Sequence, residues 1–263
     1  MHLGELEVDG QTRTYRLFAP TTIGRDAPAA VLLALHDAFG TADSFREATQ
    51  FDRAAASGNF VVVYPESLVG TWNAGFCCGR ATAQEVNDLG FLTQLLDEVA
   101  SMYTVDEGRV YAAGASNGAI MAYRLGCDLA DRVAGVASVG GAMVMDRCTP
   151  SEPVSVLAIH GTEDGHVPYA GGPTSGAPDP VPAQPALLDR WAEVNECAQD
   201  PRSETDGVVT TATWTACAAG KSVALVTVDG GGHSWFSAEF GGAAGAVDAT
   251  DLITEFFGLT PEQ

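Results

Sequence analysis

The sequence predicts an α/β fold: a mostly parallel central sheet of about eight or nine strands with helices on both faces. Three observations carry this. Short, wholly apolar runs recur along the chain, the pattern of strands buried on both sides of a parallel sheet. Segments with apolar residues at helical spacing alternate with those runs, as they do when helices cover a sheet. An antiparallel hairpin opens the chain. The 263 residues show no internal repeat and no dividing linker, so residues 1–263 read as a single domain.

The hairpin comes first. Residues 3–8 and 11–18 alternate loosely, and Asp9-Gly10 between them supplies the positive φ angles of a tight turn. Residues 29–35, 60–64, 110–114, 133–139 and 154–159 are the apolar runs expected to pair in parallel. Between them, residues 41–56 form a helix in this reading, with Thr41 or Asp43 as N-cap and Phe45, Phe51 and Ala55 on one face. Residues 85–103 place Val86, Leu89, Leu92, Leu96 and Val99 at helical spacing, and residues 117–127, 184–197 and 249–257 complete the helices. Residues 208–215 and 222–228 read as two late strands, antiparallel to each other. Residues 170–185, rich in Gly and Pro, read as a surface loop, either the rim of a site or a featureless excursion.

Composition narrows the function. The chain has 34 acidic against 13 basic residues, a formal charge of −21, and Lys221 is its sole lysine. Such a surface repels phosphate backbones and anionic lipid, so no nucleic-acid partner and no membrane partner is expected. No run approaches the roughly 18–20 apolar residues of a membrane span. The acidity fits either a salt-rich habitat or a genomic composition bias. Six cysteines, at positions 77, 78, 127, 148, 197 and 217, allow about fifteen disulfide connectivities. Cys197–Cys217 is the favoured bridge, joining a helix end to a neighbouring strand. A further bridge draws on one of the adjacent pair Cys77 and Cys78, with Cys127 and Cys148 as the other candidates. The alternative is six reduced thiols in the cytosol. The N-terminus lacks a signal-peptide pattern, so either a leader is absent from this chain or the protein is cytoplasmic.

Gly114-Ala115-Ser116-Asn117-Gly118 matches G-x-S-x-G and sits between an apolar strand and a helix. That context makes Ser116 the candidate nucleophile, projected from a strained strand-to-helix turn. A serine hydroxyl needs a base. His233, in Gly230-Gly231-Gly232-His233-Ser234-Trp235, is assigned to it, because three glycines free the backbone to carry an imidazole to a distant serine. His36 and His160 end apolar strands and read as packing or hydrogen-bonding groups; His166 lies in a loop. Asp164, after the strand ending near His160, is the acid that orients the base, with Asp146 the runner-up. The order Ser116, Asp164, His233 is the order of an α/β-hydrolase triad. A rival metal cluster of His160, Glu163, Asp164 and His166 fits poorly, so no metal and no cofactor is expected. The oxyanion donors are assigned to the amides of Asn117 and Ala38. Asp37, beside Ala38, would oppose an oxyanion and is expected to turn outward.

The blocks 72–79, 114–127, 159–172 and 230–235, in that order, resemble the polyhydroxybutyrate depolymerase and feruloyl esterase family of α/β-hydrolases. The resemblance spans about residues 11–257. It implies an α/β-hydrolase catalytic domain, a secreted serine esterase with its triad on Ser116, Asp164 and His233, and disulfides. Asp37 stands where glycine is usual and Phe236 where proline often follows the tryptophan, departures that bear on the oxyanion loop and the acyl pocket. Trp72, Trp235 and Phe39 are expected to bind substrate, since aromatic faces suit an aromatic or apolar ester. The partner is an ester, polymeric or not, met by a monomer. Hydroxycinnamate esters and polyesters, from polyhydroxyalkanoates to aromatic polyesters of the polyethylene terephthalate kind, rank together. Acetylated xylan comes next. Two rival classes are a binding protein that reuses the fold and a redox protein built on Cys77 and Cys78.

Overall fold

A computed structural model describes residues 1–24, 27–75, 77, 79–145, 147–174, 177, 179–198 and 200–261. Its strands are β1 His2–Val8, β2 Gln11–Phe18, β3 Ala29–Leu35, β4 Val61–Pro65, β5 Val105–Ala115, β6 Gly135–Val139, β7 Ser155–Gly161, β8 Arg202–Asp206, β9 Val209–Trp214 and β10 Val223–Val228. They form one ten-stranded sheet in the order β1-β2-β4-β3-β5-β6-β7-β10-β9-β8. The six strands from β4 through β10 in that order pair in parallel. The β1–β2 hairpin and the β9–β8 pair are antiparallel additions at either edge.

The helices are α1 Ala42–Thr49, α2 Phe51–Gly58, α3 Gly79–Ala83, α4 Asp88–Met102, α5 Asn117–Asp128, α6 Gln184–Val194 and α7 Ala249–Phe256. Side chains alternate across the pleat, so consecutive residues of one buried strand serve two cores. Val31, Leu33 and Leu35 of β3 pack with Leu92 and Val99 of α4, Leu125 of α5 and Trp191 of α6. Leu32 and Ala34 face the other way, onto Phe45 of α1, Phe51 of α2 and Ile253 of α7. This is why β3 reads as an uninterrupted apolar run.

The mostly parallel sheet holds as expected, and the differences are local. The helix expected over 41–56 is two helices. Gln50, at φ 54° and ψ 24°, takes the left-handed conformation that ends α1 and starts α2. No glycine or proline marks the break. Thr41 rather than Asp43 is the N-cap: its side chain accepts from the Ser44 amide. The sheet has ten strands because β8 (Arg-Ser-Glu-Thr-Asp), exposed along its whole length, pairs with β9 without any apolar residue to announce it. Strand β5 starts five residues before the expected 110, and α3 has no counterpart in the expected helices.

Cys197 is bonded to Cys217, the favoured bridge, and Cys127 to Cys148. Cys77 is also disulfide-bonded; Cys78 lies outside the described residues. No described cysteine is free, which removes the reduced-thiol alternative for those five and the redox reading of Cys77 as a free thiol. Among the described residues no helix is long and apolar enough to cross a membrane. The Cys197–Cys217 bridge closes a loop with a sequence separation of 20. Replacing both cysteines with alanine is expected to lower unfolding free energy by about 2–4 kcal/mol. A urea melt checks this, and an unchanged midpoint would show that the bridge does not stabilise the fold.

Candidate active site

Strand β5 delivers Ser116 to the carboxyl edge of the sheet. Ser116 itself sits at φ 50° and ψ −117°, a conformation that a non-glycine residue adopts only under constraint. Two backbone bonds hold it there: its amide donates to Val139 O of β6 at 2.9 Å, and its carbonyl accepts from the Ile120 amide at 3.0 Å. The turn can be this tight because Gly118 has no side chain. A Cβ there would lie 2.2 Å from the carbonyl oxygen of Leu35, at the end of β3.

His233 arrives on the loop after β10. That loop rests on the end of β7 so closely that a Cβ on Gly161 would lie 2.1 Å from Gly231 O. The Glu163 amide donates to the same oxygen at 2.9 Å. His233 Nδ1 lies 2.7 Å from Asp164 Oδ2, and Nε2 lies 2.9 Å from Ser116 Oγ. The carboxylate can only accept, so Nδ1 carries the proton and Nε2 is bare toward the serine hydroxyl. Three residues separated by up to 117 positions thus form one hydrogen-bonded chain.

Asp164 is buried, with its side chain 1% exposed. Burial alone would raise its pKa. Hydrogen bonds from His160, His233 and the Val167 amide outweigh that and hold it well below the usual carboxylate range. Its Oδ1 accepts from the amides of His166 and Val167, both at 2.8 Å, so the acid is locked into its own turn.

The loop expected to carry the second oxyanion donor follows β3. His36 is fully buried, and its Nδ1 donates to Asp37 O at 2.7 Å while its Nε2 accepts from the Ser67 amide at 3.1 Å. Asp37 is exposed and Ala38 half-buried. Across from this loop, the side chain of Asn117 is clamped to the backbone of Trp72. Oδ1 accepts from the Trp72 amide at 2.6 Å and Nδ2 donates to its carbonyl at 3.1 Å.

Two of the three expected aromatic contacts need correction. Trp72 has no exposed surface; its Nε1 donates to His36 O at 2.9 Å, so the indole braces the chain at the end of β3 and offers substrate no face. Trp235 is buried against Phe45 and Phe51, edge-on at 5.3 and 5.7 Å, with Nε1 3.3 Å from Thr250 Oγ1. Its nearness to His233 in sequence does not turn it toward the site. Phe39, in contrast, is 84% exposed at φ 64°, pinned by its amide donating to Gly70 O at 2.6 Å.

Residues assigned no role also gather here. The exposed ring of His166 lies 4.9 Å from that of His233, and His160 reaches the acid turn. Their shared block with Asp164 was the available signal. Asp146 lies outside the described residues. Among the described residues, no three His, Cys, Asp or Glu side chains are placed to hold a metal ion.

A family profile described as Phospholipase/Carboxylesterase matches residues 82–176. Feruloyl esterase B of Piromyces equi is 30% identical over 82% of this chain. NocK of Nocardia uniformis subsp. tsuyamanensis, designated an esterase, is 29% identical over 94% of it. The chain spans 41% of the first protein and 77% of the second. The acetyl xylan esterase of Aspergillus awamori superposes with a TM-score of 0.73 over 99% of this chain and 100% of its own, at 14% identity, a likeness of fold. The chain has an α/β-hydrolase fold and resembles these esterases in sequence. In this protein the depressed pKa of Asp164 ties stability to pH. The acid contributes fully above the unfolded carboxylate value, about 4, and loses that contribution as pH falls below it toward the folded value. The stability gap between wild type and Asp164→Asn is therefore expected to narrow below about pH 4. Denaturant titrations across the range measure it, and a gap that widens on acidification would contradict the assignment.

Proposed function

We propose that Ser116, His233 and Asp164 form the catalytic triad of a serine carboxylic ester hydrolase that acts on hydroxycinnamate (feruloyl-type) esters. The observation that carries this is the hydrogen-bonded chain from Asp164 through His233 to Ser116, 2.7 and 2.9 Å long at its two links. In this mechanism His233 Nε2 takes the proton of Ser116 as Oγ attacks the ester carbonyl. Asp164 stabilises the imidazolium that forms. The amides of Asn117 and Ala38 receive the oxyanion. The imidazolium protonates the leaving alkoxide, and water then cleaves the acyl-enzyme by the same steps in reverse.

The acyl preference rests on Phe39. A bulky residue on left-handed backbone is strained, and an aromatic ring left in water gives up the burial it could have had. Both costs fall on the residue next to the proposed Ala38 donor. An aromatic acyl group stacking there offsets them. The relative named feruloyl esterase B supports the same choice. The exposure of Phe39 also favours a second reading, in which the ring meets the surface of an aromatic polyester. In the acetyl xylan alternative the acyl group itself is too small to stack on the ring. The bonded cysteines support an oxidising compartment, so secretion is part of the proposal.

Ser116→Ala is expected to reduce kcat on methyl ferulate by at least about 10⁴-fold while leaving the melting temperature near wild type. Retained turnover would remove the serine mechanism. Phe39→Ala is expected to lower kcat/KM on methyl ferulate by about threefold to tenfold and to leave methyl butyrate nearly unchanged. Equal effects on both esters would separate Phe39 from acyl recognition.

A further inference from the structure

We infer that His160 is a positioning residue of the acid–base pair, sharing one N–H between the acid's carboxylate and the far end of the acid's own turn; this rests on the triad reading above. His160 is the next-to-last residue of β7 and is 1% exposed. Its Nε2 lies 2.8 Å from Val167 O and 3.3 Å from Asp164 Oδ2. Both neighbours are acceptors, so Nε2 carries the proton. Asp164 and Val167 bracket the turn in which the acid sits, and the histidine that precedes the turn spans it.

Two consequences follow for the carboxylate. Oδ1 is already held by the His166 and Val167 amides, so the bond from His160 fixes Oδ2 as well and the group cannot swing away from His233. Oδ2 also divides its accepting capacity between two imidazoles, the shorter bond going to His233 at 2.7 Å. Removing the His160 donor leaves Oδ2 to His233 alone. The carboxylate then attracts the Nδ1 proton more strongly, and the imidazolium form of His233 is favoured. The groups that face this pair are His160 from β7, with the Tyr169 ring 6.0 Å from its own, the His166 ring 4.9 Å from His233 on the acid turn, and Ser116 from the end of β5.

The test uses two replacements in the whole chain. His160→Met keeps comparable bulk without a donor, and His160→Gln keeps an N–H. In His160→Met, kcat/KM on methyl ferulate is expected to fall about tenfold or more, with KM within about threefold. The acid limb of its pH profile is expected to move upward by about half a pH unit, the size of one weak hydrogen bond. His160→Gln is expected to stay within about threefold, with the limb at its wild-type position. An unmoved limb in folded His160→Met, or equal losses in both variants, would overturn the inference; thermal melts establish folding. A measurement on the wild type needs neither variant nor turnover. Nitrogen NMR is expected to find the His160 proton on Nε2, and a proton on Nδ1 alone would overturn the inference. Because that readout is independent of esterase activity, its failure is distinct from a failure of the triad, which Ser116→Ala tests.

Discussion

The site depends on one close approach of backbones. The first turn of α5 presses against the end of β3 until only a glycine fits, with Leu35 O and His36 O 2.2 and 2.4 Å from where a Gly118 Cβ would be. That contact sets the end of β3 against the turn that carries Ser116. Everything else in the site adjusts to it. Asn117 is trapped between the two, and its side-chain amide has both ends committed to the Trp72 backbone. A helix start held this firmly points its free amides in a fixed direction, the preorganisation that stabilising a developing negative charge requires.

The acid side is built on the opposite principle. A buried carboxylate is costly unless donors surround it. Asp164 meets two backbone amides and two imidazoles, and its pKa falls although it is removed from water. Charge is therefore concentrated where the imidazolium needs it. The loop bearing Ala38 carries Asp37, an exposed residue whose Oδ1 folds back against Gly40, 2.2 Å from where a Cβ there would be.

How much of this was legible in the sequence depends on whether a feature announces itself locally. The parallel strands did, because burial on both faces leaves runs such as Ala-Ala-Val-Leu-Leu-Ala-Leu in β3. Ser116, Asp164 and His233 could be picked out because each follows a strand and sits among glycines. Strand β8 could not, since its pairing is made by backbone alone and its side chains are all exposed. The break at Gln50 has no local marker either: a left-handed glutamine lets α1 and α2 each pack on β4. Trp72 and Trp235 were misread for a related reason. Closeness in sequence to a site residue does not fix which way a side chain points, and both indoles turn into the protein.

The two strand-end histidines show what sequence alone withholds. Each ends an apolar run and each is buried and hydrogen-bonded, in keeping with the reading of both as packing or hydrogen-bonding groups. Packing does not distinguish their ring nitrogens, but their partners do. His160 donates from Nε2 into the acid turn, whereas His36 donates from Nδ1 to Asp37 O and accepts at Nε2 from Ser67. The peptide from Asp37 to Ala38 is planar and trans, so fixing its carbonyl on His36 directs the Ala38 N–H the opposite way. Trp72 Nε1 secures the next carbonyl back, that of His36. In the proposed mechanism one buried histidine thus steadies the acid and the other aims an oxyanion donor. The two buried histidines differ in which ring nitrogen carries the proton, a distinction set by tertiary contacts.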